Sequence, residues 1–145
     1  NIFLHEARGY GRVTKVLDVG IARILPDAPP IAPEPAALRT ITGAMMGSPR
    51  YMSPESWNGQ RLDARADLYS TGVMLYVMLT GHGPFDTDQP SPHPPSRLNP
   101  ELPPELDAIV LEAIREDVAT RTQSAQEFLD AIDPWLQRLR PGGRR

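Results

Sequence analysis

The sequence predicts a mainly α-helical domain entered through a short N-terminal β-hairpin. Three observations predict it. The stretch from Ala64 to Leu79 has helical length, and from Tyr69 onward it is apolar on nearly every face, the pattern of a buried helix. Two later stretches, Glu105 to Arg115 and Ser124 to Ile132, repeat apolar residues at helical spacing. Between these segments lie proline-rich connections, which suit neither helix interiors nor central strands.

The elements follow in order. Asn1-Ile2-Phe3-Leu4 is mostly apolar and β-prone, Gly9 and Gly11 mark a turn, and Val13 to Leu17 is a second β-prone run. Together they read as a hairpin. Asp18-Val19-Gly20 comes directly after it; an Asp at a strand end with a Gly two residues on is by itself a common turn. Pro29, Pro30, Pro33 and Pro35 give the stretch from Asp27 to Ala37 local polyproline character. Thr40 and Thr42 then stand beside Arg39, ordinarily a solvated arrangement.

The stretch Gly47-Ser48-Pro49-Arg50-Tyr51-Met52-Ser53-Pro54-Glu55 is a loop feeding a short helix. Ser53 is the N-cap, Pro54 takes the first helical position, and Glu55 puts an acid in the first turn. Gly59 stops that helix, and Gly81 stops the long one. Asp67 lies near the start of the long helix, where a carboxylate complements the dipole and, once buried, needs donors. No helix of useful length fits between Pro84 and Pro104. Glu105 to Arg115 then carries Leu106, Ile109, Val110, Ala113 and Ile114 on one face. Ser124-Ala125-Gln126-Glu127 is a capping box, with Phe128, Leu129 and Ile132 as the apolar stripe behind it. Pro134 ends or restarts the last helix, and residues 134–145 read as a basic C-terminal linker after a domain spanning 1–133.

Composition narrows the function. A length of 145 residues fits one domain or part of a larger one, and a net charge of -3 indicates no general nucleic-acid or membrane surface. The absence of cysteine removes disulfides and thiolate chemistry and fits a cytoplasmic location. The longest fully apolar run, Val73 to Leu79, is too short to span a bilayer, and no signal peptide is visible. A membrane would enter only through a segment beyond Arg145. His5, His82 and His93 fall in loops without a readable nucleophile–base pairing, so a proteolytic or esterase role has little support.

Four motifs, in order, carry a family resemblance. Asp18-Val19-Gly20 resembles the metal-binding Asp-Phe-Gly of protein kinases. Gly47 to Glu55 resembles their substrate-positioning loop running into Ala-Pro-Glu. Asp67-Leu68-Tyr69-Ser70-Thr71-Gly72, with Leu79 to Phe85, resembles their central buried helix and its exit, and Arg121 resembles their late arginine. The chain is similar to the C-terminal lobe of a bacterial eukaryotic-like serine/threonine protein kinase, truncated before the catalytic loop. That family's domain is α+β, and the part resembled here is its mainly helical one.

The resemblance implies ATP and Mg²⁺ as cofactors, with Asn1 and Asp18 as oxygen ligands of the metal. It implies an activation segment over 18–55, with Thr40 and Thr42 as phosphorylation sites and the Ser48 hydroxyl near the catalytic centre. It implies a buried Glu55–Arg121 ion pair, and an Asp67 that accepts backbone hydrogen bonds from the catalytic loop. The implied partners are a protein substrate and the kinase N-terminal half. Departures are Val19 for phenylalanine, Ser53 for alanine, Val118 for proline, and a short connection from Phe85 to Leu106 that lacks the family's helix. The sequence as given holds no Gly-rich loop, strand lysine or catalytic aspartate, so by itself it is expected to transfer no phosphate. The alternatives are a truncated pseudokinase acting as a binding or regulatory module and, more blandly, an unrelated helical domain. Metal ligands retained at Asn1 and Asp18 favour the enzyme over a pure scaffold.

Overall fold

A computed structural model describes residues 2–7, 11–16, 49–86 and 91–139. The chain divides into two compact units, Asn1–Ile31 and Ala32–Arg145. In the first, strands β1 (Ile2–Ala7) and β2 (Gly11–Val16) pair antiparallel, in a register running from Ile2 opposite Val16 to Ala7 opposite Gly11. Strand β1 extends past Leu4, so His5 lies in a strand opposite Val13 and not in a loop. Pairing carries the polar residues along, because their backbone groups find partners and Glu6 faces Arg12 across the ladder. Gly11 opens β2 at a φ of 71°, a left-handed conformation that glycine adopts without strain.

In the second unit a 3-10 turn, Pro49–Tyr51, leads into helix α1 (Pro54–Trp57). Helix α2 (Arg65–Thr80) follows, then one turn of helix α3 (Pro95–Leu98), helix α4 (Glu105–Ala113) and helix α5 (Ala125–Leu139). The proline-rich connection thus holds a single helical turn, with Pro94 and Pro95 starting it. Helix α2 is the centre of the core. Its Leu68, Tyr69, Val73, Leu75 and Tyr76 pack with Leu106, Val110, Ala113 and Ile114 and with Phe128 and Ile132 of α5. A Cβ on Gly72 would lie 2.8 Å from the Ala113 Cβ and 2.9 Å from Ile114, so glycine sets how closely α2 and α4 approach.

Two sequence expectations change in α5. Leu129 is 54% exposed, because the buried stripe runs through Phe128, Ile132 and Trp135, at i, i+4 and i+7. The helix also continues through Pro134 to Leu139. Pro134 itself is exposed, while Ile132 before it and Trp135 and Leu136 after it pack on the core and hold both sides of the interruption in one line. Among the described residues no helix is long and apolar enough to cross a membrane.

Candidate functional site

The segment from Pro49 to Gln60 is fixed at both ends by local chemistry. Ser53 is buried, and its Oγ accepts the Ser56 N–H at 3.3 Å, the N-cap bond that orients α1. At the other end Gly59 is left-handed, its N–H donates to the Ser56 carbonyl, and the Gln60 N–H donates to the Glu55 carbonyl. Those two bonds close the short helix with a Schellman motif. Ahead of α1, the Tyr51 carbonyl accepts a 2.7 Å hydrogen bond from Ser70 Oγ of α2. Ser70 is one of the few polar residues in an otherwise apolar helix, and this bond is its reason.

Arg121 locks the segment to the helical core. Its Nη1 and Nη2 donate to Glu55 Oε1 and Oε2 at 2.6 and 2.9 Å. Its remaining N–H groups donate to the carbonyls of Arg115, Arg65 and Glu116. All five guanidinium donors are therefore satisfied, and the charge lies 4.9 Å from the Tyr69 ring centroid. Burial pushes the Glu55 carboxyl up, but the Arg121 hydrogen bonds, its own backbone N–H and the arginine's charge outweigh this and hold it below its ordinary 4.5. Burial, followed by the Glu116 charge, pushes the Tyr69 hydroxyl up to about 12, against the opposing pull of Arg121.

A second arginine, Arg50 of the segment itself, ties it on the solvent side to the turn after α2. Arg50 Nη2 donates to Asp86 Oδ1 at 2.9 Å. Asp86 belongs to the turn after α2, and its other oxygen accepts the Gly83 N–H, also at 2.9 Å. Between the 3-10 turn, α2 and this turn lies a cavity of about 340 Å³. Neither Arg50 nor Asp86 is singled out by sequence, since they stand 36 residues apart and belong to no shared motif.

Of the site residues expected from sequence, the structure brings Glu55 and Arg121 together. Asp67 is exposed in the first turn of α2, and among the described residues its carboxylate makes no hydrogen bond. Asn1, Asp18, Thr40, Thr42 and Ser48 lie outside the described residues. Among the described residues no cluster of His, Cys, Asp or Glu is arranged to hold a metal ion.

With this geometry in place, comparison with known proteins assigns the family. The protein kinase domain family matches residues 1–141, and the chain belongs to it. It is 43% identical over 132 residues to a probable serine/threonine-protein kinase of Streptomyces coelicolor, covering 84% of this chain and 19% of that protein. It is 42% identical over 124 residues to the serine/threonine-protein kinase PknB of Mycolicibacterium smegmatis, covering 79% of this chain and 19% of that protein. Among solved structures, the PknI kinase domain of Mycobacterium tuberculosis superposes with a TM-score of 0.52 at 30% identity, covering 62% of this chain and 36% of that one. The fold is that of a protein kinase, and the chain spans about one fifth of the length of these curated relatives. Kinases of this family generally use ATP and Mg²⁺ and act on proteins.

Proposed function

We propose that this chain works as part of an ATP-dependent serine/threonine protein kinase that phosphorylates protein substrates in bacterial signalling. Its share is to hold the substrate-positioning segment on a rigid helical core. The observation that carries this reading is the buried Glu55–Arg121 pair with every guanidinium donor satisfied. Phosphoryl transfer relies on positioning and charge neutralisation, and a segment anchored in this way is preorganised for it.

Asn1 and Asp18 offer an amide oxygen and a carboxylate, hard donors that fit Mg²⁺, which when bound neutralises charge on the nucleotide phosphates. The Ser48 hydroxyl would lie near the catalytic centre. The exposed Asp67 carboxylate, at the start of α2, would accept backbone hydrogen bonds from the catalytic loop. Phosphates on Thr40 and Thr42 would each add about -1.5 to -2 charge and order the activation segment, read here as 18–55, against arginines. The domain is read as 1–133, with 134–145 as linker and a cytoplasmic location.

The test is transfer of labelled γ-phosphate to a serine/threonine peptide library by the kinase domain that contains this chain. Transfer that disappears in Asp18→Asn supports the reading. No transfer above a heat-denatured control overturns it, in favour of a binding or regulatory module.

A further inference from the structure

We propose that Ser70 of α2 is a positioning residue for the protein substrate: its hydroxyl fixes the backbone of the segment at Tyr51 and so sets how well that segment receives a substrate. This rests on reading residues 47–55 as the substrate-positioning segment. Hydroxyls within a helix ordinarily turn back to the carbonyl four residues earlier. Thr71 and Thr80 of α2 do so, donating to the Asp67 and Tyr76 carbonyls at 2.8 Å. Ser70 does not follow them. Its Oγ lies 3.2 Å from its own helix's Ala66 carbonyl and 2.7 Å from the Tyr51 carbonyl. A hydroxyl has one proton, and the shorter bond takes it.

The Tyr51 carbonyl needs a donor from outside its own stretch. Continuing the 3-10 turn would ask Pro54 for an N–H, and proline has none. Ser70 supplies the donor from a rigid helix whose neighbours on either side, Tyr69 and Val73, are buried in the core. Among the described residues this is the one hydrogen bond that α2 makes to residues 49–60. It also differs in kind from the other two ties. Arg50 and Glu55 hold the segment through their side chains, which can bend while the backbone shifts. Ser70 grips the backbone itself, so it decides where the peptide unit between Tyr51 and Met52 lies.

The experiment compares wild type, Ser70→Ala, Ser70→Thr and Thr71→Ala in the kinase domain that contains this chain. Two readouts are taken: phosphoryl transfer to a serine/threonine peptide at varied peptide and ATP, and amide hydrogen exchange over residues 49–58. Alanine is the better helix former, so Ser70→Ala keeps α2 and removes only the outward bond. It is expected to raise the peptide KM and the exchange rate of the segment by about fivefold each, the worth of one net hydrogen bond, with the KM for ATP unmoved. Ser70→Thr keeps the donor and restores both. Thr71→Ala removes an exposed hydroxyl that serves only its own helix and leaves both at wild type. A lower kcat at unchanged peptide KM, the mark of a merely structural role, overturns the inference. So does unchanged exchange in Ser70→Ala, a loss that Ser70→Thr does not restore, or an equal effect of Thr71→Ala. Each of these leaves the kinase reading standing, because wild type still transfers phosphate. A wild type that transfers none overturns that reading, and the substrate role of Ser70 with it.

Discussion

Two arginines hold the same short segment, and they do so in opposite environments. Arg121 is fully buried against a Glu55 that is 6% exposed, whereas the side chains of Arg50 and Asp86 are 76% and 38% exposed. The buried pair needs five hydrogen bonds because a guanidinium removed from water has no other source of acceptors. The exposed pair makes one bond across the gap and shares its charge with solvent. Similar chemistry thus serves two purposes. Where water is excluded, the pair fixes structure, and losing one partner is severe. Where water remains, the pair contributes little stability and only ties the segment to the turn after α2.

The largest effect should come from breaking the buried pair on one side. Arg121→Met strands the Glu55 carboxylate and should cost about 3–5 kcal/mol, measured by urea unfolding. A loss under about 1 kcal/mol would mean that the pair does not anchor the segment. Gly72→Ala attacks the same core without touching charge. Its Cβ collides with Ala113 and Ile114, and overpacking of this kind should cost about 1–3 kcal/mol in the same assay.

Acid sharpens the comparison further. The Glu55 carboxyl is held below its ordinary 4.5, so its contribution to stability is complete above that pH and is lost as pH falls through the lower folded value. Unfolding followed from neutral pH downward should show this loss in wild type but not in Arg121→Met. Base works the other way on Tyr69. Its folded pKa of about 12 exceeds the ordinary 10.0, so the stability it contributes is intact below pH 10 and declines toward pH 12. In a spectroscopic tyrosine titration, Tyr69 should ionise well after an unperturbed tyrosine. The smallest effect belongs to the exposed pair. Arg50→Gln should cost between about 0 and 1 kcal/mol, a difference that fades in high salt.

The sequence exposed what local chemistry decides. The Ser53 cap, the proline at the first position of α1, the glycine stops at Gly59 and Gly81 and the apolar face of α4 each depend on a few neighbouring residues, and each is where the pattern places it. The Ser124 cap is also local, since its Oγ accepts the Glu127 N–H; the return arm differs by one residue, with Glu127 accepting from the Gln123 N–H. The kinase fold was legible as well, because its motifs are ordered along the chain.

What the sequence left open depends on residues far apart in it. Leu129 satisfies a helical pattern and still faces water, since which side of α5 is covered is settled by α2 and α4, not by α5. Pro134 is a helix breaker by itself, but packing on either side of it carries the helix through. Ser70 is polar within an apolar helix because its partner is the Tyr51 carbonyl, 19 residues away in the sequence. Arg50 and Asp86 have no shared motif at all. By itself, then, the sequence determined the main helices, several of their caps and stops, and the family, because caps, periods and ordered motifs are short-range information. Only the tertiary structure decided which charges are desolvated and which remain in water, since burial depends on every element packed around a residue.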